Sequence, residues 1–261
     1  MNLVMQLSLH LGKTESILFG TEKKLASVNN FHVQCDNISV TSVKNVTYLG
    51  LSLENNLSSN SIVSNIIKKA SSRLKFLYRY KEILNENSRK ILCNALIQCH
   101  FDYCCSAWYT STGKTLKNKL QVMQNKMIRF ILNLENRSHV GLLEQEKVNM
   151  LPVSSRVQQL KLNHVLNISN DNCPEYMKEK FSKISDTELK QCTRASRFNF
   201  FLPRVLNQAV NTFYFSGIKD WNALPANIKE ITNADSFRSA VKEHILTELK
   251  NKALCPFVYN S

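Results

Sequence analysis

The spacing of apolar residues changes near residue 60, and the change separates two kinds of predicted element. Before it, short β-branched and aromatic runs are separated by Gly, Asn and Asp, which is typical of strands joined by turns. After it, apolar residues recur at intervals of three or four, as they do on the buried face of an amphipathic helix. The predicted strands lie within residues 15–20, 31–35, 38–40 and 46–50.

The chain after residue 60 is predicted to be mainly helical. The segment 198–215 is an exception, because its aromatic and β-branched residues favour strands. The whole pattern predicts a mainly α fold with a small β-rich N-terminal segment (α+β), in which a helical bundle is followed by an irregular C-terminal region. The helices are predicted at residues 61–81, 88–108, 115–134, 156–169, 218–224 and 236–250.

Composition narrows the cellular setting. No apolar run approaches the roughly 20 residues that a membrane-spanning helix needs. The first residues lack the basic start and the small-residue cleavage site of a signal peptide. The eight cysteines are scattered along the chain, which favours reduced thiols over a disulfide framework. We therefore expect an intracellular protein, nuclear or cytoplasmic, that makes no membrane contact.

The net charge indicates a class of partner. Lys and Arg number 34 against 20 Asp and Glu, which gives a formal charge of +14 and a pI near 9.5. A field of this sign attracts polyanions, of which nucleic acid is the commonest inside cells. Lysine-rich faces that only contact solvent are the alternative explanation. RNA or DNA, bound without sequence specificity, is thus the expected partner.

The densest basic run coincides with the first predicted helix. Lys75 follows Lys68 by seven positions, and Arg79 follows Lys75 by four. This spacing places the three residues near one face of the predicted helix. Cations in such a row match the spacing of a phosphate backbone, and the interleaved Phe76, Tyr78 and Tyr80 are available for stacking on bases. An amphipathic helix with a solvated basic face remains the alternative. The candidate nucleic-acid-binding residues are Lys68, Lys69, Arg73, Lys75 and Arg79, and a second basic stretch comprises Lys114, Lys117, Lys119, Lys126 and Arg129.

Two patterns associated with catalysis are incomplete in this sequence. The stretch from Gly12 to Thr14 matches the end of a P-loop, but Leu7 stands where the pattern requires its first glycine. Six Asp residues are spread along the chain without an adjacent pair, whereas a polymerase holds two metal ions between paired carboxylates. The residues therefore identify no catalytic group and no small-molecule substrate.

The cysteines and histidine near residue 100 do not have the spacing of a metal site. Structural zinc is usually held by two spaced pairs of ligands. Here the candidate ligands are adjacent in sequence, and adjacent side chains diverge on a helix. We interpret them as side chains of a helical core and predict no metal and no cofactor. These residues are Cys99, His100, Cys104 and Cys105.

Several stretches, in a shared order and spacing, resemble the C-terminal part of the reverse transcriptases of non-LTR (LINE-type, jockey, CR1 or RTE-like) retrotransposons. Residues 7–20 are similar to the late palm segment, where N/G-K-T precedes a short strand, and residues 43–53 (VKNVTYLGLSL) are similar to the KYLG strand. Residues 66–77 resemble the start of the thumb. Further similarities are HFDYCCSAW at 100–108 to PHLDYCSSVW, LQVMQNKMIR at 120–129 to LEKVQNRAIRI, FYFSGIKDWNALP at 213–225 to R-x-x-x-x-W-N-x-L-P, and SFRSAVKEHIL at 236–246 to S-F-K-x-x-L-K-x-x-L.

The resemblance implies a division of the chain and a set of site residues. Residues 1–56 would be a palm remnant with strands like motifs D and E, residues 57–150 a thumb-like helical region, and residues 151–261 a C-terminal retroelement region. The KYLG-like strand implies a primer-grip position for Tyr48, Leu49 and Gly50. Cys99 stands where the family usually has Pro, and Gly217 where it usually has Arg.

These observations lead to one expected function and two open alternatives. We expect a truncated reverse transcriptase (RNA-directed DNA polymerase) fragment that is not an enzyme by itself. Intact family members use Mg²⁺, but their Asp-Asp ligands lie upstream of the segments matched here. The fragment would bind nucleic acid weakly and without sequence specificity. The alternatives are a domesticated helical module that binds a protein partner, and a fragment that complements a catalytic half supplied by another chain.

Overall fold

The computed structural model describes residues 10–28, 31–35, 38–186, 198–205 and 209–254, and these residues confirm the predicted fold class. They are mainly helical, and their two small antiparallel sheets lie near the N-terminus. The chain divides into two compact units, Met1–Asn65 and Ile66–Ser261. None of the described helices is both long enough and apolar enough to cross a lipid bilayer.

Two hairpins form the sheets of the first unit. Strand β1 (His32–Cys35) pairs antiparallel with β2 (Ile38–Thr41), and β3 (Asn45–Tyr48) pairs antiparallel with β4 (Leu51–Glu54). A two-stranded hairpin buries little apolar surface and is marginally stable by itself. Val40 is accordingly the one buried apolar residue before position 60, among the residues whose exposure the structure describes.

The helices begin close to the predicted positions, because local signals set their ends. The Asn85 side chain accepts a hydrogen bond from the N–H of Ser88 at 2.8 Å and so caps the helix that follows it. The Asn233 side chain caps the last helix by accepting hydrogen bonds from the N–H groups of Asp235 and Ser236 at 3.0 Å. The described α-helices are α1 (Glu22–Ala26), α2 (Asn60–Tyr78), α3 (Glu86–Cys93), α4 (Cys99–Asp102), α5 (Cys105–Trp108), α6 (Lys114–Ile131), α7 (Leu142–Lys147), α8 (Val153–Ser169), α9 (Glu175–Lys178), α10 (Phe213–Ala223), α11 (Ala226–Lys229) and α12 (Ala234–Leu254).

The prediction of one continuous helix over residues 88–108 is wrong. Helix α3 passes into a π-helical turn, Asn94–Gln98, which α4 continues. Cys104 then has a left-handed backbone with φ of 50°, a conformation that cannot continue a right-handed helix. The indole Nε1 of Trp108 donates a hydrogen bond to the carbonyl oxygen of Tyr103 at 3.1 Å, which closes the chain across the break.

The strands predicted within residues 198–215 are also wrong for the described part of that segment. Phe200 forms an isolated antiparallel bridge with Lys183, and α10 already begins at Phe213. The Thr212 hydroxyl caps α10 by accepting a hydrogen bond from the backbone N–H of Phe215. The aromatic residues of this segment contribute to the core. They led to the strand prediction because strands and cores favour the same residue types.

A cluster of buried apolar residues in the second unit lies where α8, α10 and α12 meet. The Trp221 side chain is fully buried and stacks on Phe237, with ring centroids 5.7 Å apart. Gly217 allows α10 to approach α8 closely, since a Cβ atom there would lie 3.2 Å from Cγ2 of Val165. A longer side chain at Gly217 would therefore force α10 away from α8.

Candidate nucleic-acid interface

Helix α2 buries an apolar face and leaves its cations at the surface. Ile66, Ala70 and Leu74 are among its buried residues. All five candidate cations are exposed, and none lies within 4 Å of a carboxylate in the part of the chain that the structure describes. Exposed cations without an acidic partner keep their charge available for an external anion. These cations are Lys68, Lys69, Arg73, Lys75 and Arg79.

The five cations form two rows. Lys68 and Lys75 lie on the side of α2 opposite the buried face, and Arg79 follows in the turn directly after the helix; we call these three residues the front row. At about 1.5 Å per residue Lys68 and Lys75 lie about 10 Å apart along the helix, or about three nucleotide steps of 3.4 Å. Lys69 and Arg73 are one helical turn apart and lie about 100° around the helix from the front row. We call these two residues the side row.

The side row lies next to a histidine of α4. Burial lowers the pKa of His100 below its ordinary value of 6.5, and the positive charges of Arg73 and Lys69 lower it further. The Nε2 atom of His100 is buried and has no hydrogen-bond partner among the described residues. The neutral form of the His100 imidazole is therefore favoured, and its pKa depends on the positive charges of the side row.

Aromatic side chains continue the basic surface beyond the end of α2. The Phe76 side chain is 51% exposed and that of Tyr80 is 45% exposed, and their ring centroids are 5.3 Å apart. Tyr78 differs from them, because its ring meets the buried Phe130 edge-on at 4.9 Å and burial raises its pKa. Ile83 follows in the same loop with 82% exposure. Phe76 and Tyr80 thus form an exposed ring pair at the basic end of α2.

The second basic stretch, on α6, is partly engaged within the protein. The Lys117 ammonium donates a hydrogen bond to the carbonyl oxygen of Thr110 at 3.3 Å and lies 5.0 Å from the ring centroid of Tyr109. The Arg129 Nε donates to the carbonyl oxygen of Ser138 at 2.8 Å. These two residues stabilise loops, which makes them weaker candidates for an external ligand. The exposed cations of this stretch are Lys114, Lys119 and Lys126.

The primer-grip-like residues lie at the tip of a hairpin. Tyr48 ends β3, and Leu49 and Gly50 form the two-residue turn to β4. Both turn residues have positive φ, 47° and 81°, as a type I′ turn requires, and a glycine at the second position meets that demand without strain. The side chains of Tyr48 and Leu49 are exposed. This group belongs to the first compact unit and the α2 cations belong to the second.

The Asp102 carboxylate is held by donors at the edge of a polar cavity of about 400 Å³. The Arg156 guanidinium donates to Oδ2 through Nη2 at 2.8 Å and through Nε at 3.2 Å, and the Gln98 amide donates to Oδ1 at 2.8 Å. The remaining Arg156 Nη1 donates to Oε1 of Gln159 at 2.9 Å. Because its oxygens already accept these bonds, Asp102 acts as a structural link between α4 and α8.

Trp221 and Asn222, which are adjacent in α10, also have a structural role. The indole Nε1 of Trp221 donates to the carbonyl oxygen of Phe198 at 2.8 Å. The Asn222 amide pairs with both backbone groups of Phe200: Oδ1 accepts from the N–H at 3.0 Å, and Nδ2 donates to the carbonyl oxygen at 2.8 Å. The buried Lys229 ammonium donates to the carbonyl oxygen of Asn222 at 2.9 Å. These bonds attach the segment around residue 200 to α10.

The cysteine and histidine residues near position 100 are not grouped as metal ligands. Among the described residues, no group of three or more His, Cys, Asp or Glu side chains is arranged to hold a metal ion. Cys99 and Cys104 are exposed, whereas Cys105 is buried and its pKa is raised to about 12, mainly by burial. The thiol of Cys105 is therefore a protonated core side chain.

Comparison with models of protein families, with curated proteins and with solved structures finds no match to this chain. The sequence alone identified the α2 cations, but it gave no signal for Arg156 as the partner of Asp102, since 54 residues separate them.

Proposed function

We propose that this chain is a nucleic-acid-binding module that corresponds to the late palm, thumb and C-terminal region of a LINE-type reverse transcriptase. It binds RNA or DNA without sequence specificity, through phosphate contacts made by α2. The observation that carries the proposal is the set of five exposed cations, four on α2 and Arg79 in the turn directly after it, without carboxylate partners among the described residues. Contacts of this kind position a nucleic acid but read no bases.

The ancestry part of the proposal is supported by the order of sequence similarities and by the architecture. Two short hairpins precede a helical body, as expected for the end of a palm followed by a thumb. The proposal includes no polymerase activity for residues 1–261 alone, because their sequence contains no adjacent Asp pair for two metal ions. The chain would hold a template–primer, and it would contribute no reacting group.

The front row carries the larger share of the expected affinity. Its two helical cations, Lys68 and Lys75, point away from the buried face and match one strand of phosphates along about 10 Å, and Arg79 follows in the next turn. The positive charges of the side row act on His100, whose pKa they lower. Each phosphate contact on a duplex contributes about 0.9 to the slope of log affinity against log salt. The front row therefore contributes a slope of about 2.7.

The test is fluorescence-anisotropy binding of the purified chain to a labelled RNA–DNA primer–template, titrated with salt. A front-row variant with Lys68, Lys75 and Arg79 changed to Gln should weaken binding and lower the salt slope by about 2 to 3. A matched control changes three exposed cations elsewhere in the second unit, Lys180, Arg204 and Lys219, to Gln. It removes the same net charge, and we expect it to lower the slope by less than about 1.

Two outcomes would count against the proposal. Absence of binding at low salt, with the protein shown to be folded by circular dichroism, would remove nucleic acid as the partner. Equal losses in the front-row variant and in the control would show that net charge, rather than α2, attracts the nucleic acid. The side-row variant, with Lys69 and Arg73 changed to Gln, should fall between the wild type and the front-row variant.

A further inference from the structure

The ring pair Phe76 and Tyr80 consists of two large aromatic side chains that remain at the protein surface. Both rings are about half exposed, although burial of an aromatic side chain is strongly favourable. Their neighbour Tyr78 contacts the buried Phe130 edge-on, and 36% of it remains exposed. The exposure of Phe76 and Tyr80 therefore leaves aromatic surface available to a ligand.

The charges around the ring pair restrict the kind of ligand. Lys75 and Arg79 are exposed cations that flank Phe76 and Tyr80 in the chain, and Lys81 follows directly, with its ammonium 6.0 Å from the ring centroid of Tyr78. Glu82 is the acidic residue of this loop, which leaves the cations in excess. Aromatic rings interleaved with cations fit a ligand that alternates flat rings with negative charges.

Resting on the proposed function, we infer that this end of α2 binds single-stranded nucleic acid in preference to duplex. The faces of Phe76 and Tyr80 stack on unpaired bases, while Lys75, Arg79 and Lys81 contact the phosphates. In a duplex the base faces are already stacked on one another, so the rings find no partner there. Stacking of this kind tolerates any base, because every base has a π-face.

Charge alone predicts the opposite preference, so a binding experiment can distinguish phosphate contacts from stacking. A duplex carries one negative charge per about 1.7 Å of axis, against one per about 3.4 Å for a single strand. A basic surface without rings would therefore bind the duplex more tightly. Tighter binding of the single strand at equal salt identifies stacking on the ring pair as the cause.

The experiment compares a labelled single-stranded RNA of 12 nucleotides with the same sequence annealed as a duplex. The proteins are the wild-type chain, Phe76→Leu and Tyr80→Leu, and the measurement is anisotropy at several salt concentrations. Each substitution keeps an apolar side chain and removes the ring. We expect each to weaken single-strand binding by about tenfold, to leave duplex binding unchanged, and to leave the salt slope unchanged because no charge is altered.

Tyr176→Leu is the matched control. Tyr176 lies in the same compact unit and is 64% exposed, so its ring is as accessible as those of the ring pair. This variant should bind both probes like the wild type. Thermal unfolding midpoints of all three variants should lie close to that of the wild type, since each changed side chain is an exposed one.

The outcomes separate this inference from the function on which it rests. Binding of the single strand and the duplex with equal affinity, or losses in Phe76→Leu and Tyr80→Leu no larger than in Tyr176→Leu, would overturn the stacking site while phosphate binding by α2 stands. Failure to bind either probe at low salt would overturn both. A single-strand preference that disappears in the two ring variants supports the site.

Discussion

Arg156 of α8 and Asp102 of α4 are joined by two charge-assisted hydrogen bonds to one carboxylate oxygen, of 2.8 and 3.2 Å. Asp102 belongs to the stretch HFDYCCSAW, which carries part of the resemblance to reverse transcriptases. In this fold the Asp102 carboxylate accepts hydrogen bonds from two groups of the protein itself, the Arg156 guanidinium and the Gln98 amide. Asp102 therefore joins α4 to α8 in this fold.

This pair gives a first prediction, on stability. Asp102→Asn keeps the shape of the side chain but removes the charge that Arg156 pairs with. We expect it to lower the free energy of unfolding by about 1–2 kcal/mol, the lower part of the range for bonds to charged groups, because both side chains are partly exposed. Urea denaturation at constant m-value measures the change.

A second Arg–Asp pair in the same unit is the control. Arg238 and Asp235 also approach within 2.8 Å, but they lie one turn apart on α12 with both side chains largely exposed. Asp235→Asn should therefore cost about 0.5 kcal/mol or less. A cost for Asp102→Asn as small as that for Asp235→Asn would contradict the structural role assigned to the Asp102 pair.

The second prediction concerns the attachment of the segment around residue 200 to α10. Asn222→Ala removes both hydrogen bonds to Phe200 and leaves its backbone groups without that partner. We expect a loss of about 1–3 kcal/mol in stability and faster hydrogen exchange of the Phe200 amide. Asn227→Ala on α11 is the control, because Asn227 is exposed, and it should leave both quantities unchanged. An unchanged exchange rate at Phe200 in Asn222→Ala would refute the attachment.

The third prediction concerns pH. The pKa of His100 is lower in the folded protein than its ordinary value of 6.5, first because of burial and then because of Arg73 and Lys69. Between the two values the unfolded chain binds more protons than the folded one, so stability falls as the pH falls below 6.5. His100→Gln should reduce this loss, as measured by urea denaturation at a series of pH values.

The same histidine reports on the side row. Arg73→Gln removes one of the cations that disfavour the imidazolium, so the pKa of His100 should rise in an NMR titration. Arg79→Gln removes an equal charge from the front row and should change the pKa of His100 less. Equal shifts in the two variants would mean that the side row and the front row act on His100 alike.

Helix α2 and its cations could be predicted because their determinants are local. The interval of four residues between Ile66, Ala70 and Leu74 sets the buried face, and the same helical periodicity sets where Lys68 and Lys75 point. The exposure of the five candidate cations follows from this geometry. The break at Cys104 could not be predicted, because a left-handed residue other than glycine leaves no clear signature in the sequence.

The sequence by itself determined the class of the fold, most helix positions and the basic surface of α2, since these depend on residues within a few turns of one another. The tertiary structure decided which distant groups meet: Arg156 with Asp102, Asn222 with Phe200, and the side row with His100. It also decided that the Tyr78 ring contacts the buried Phe130, whereas the neighbouring Phe76 ring contacts that of the exposed Tyr80. These outcomes depend on how helices pack together, and a hydrophobic pattern along one helix carries no information about its partner.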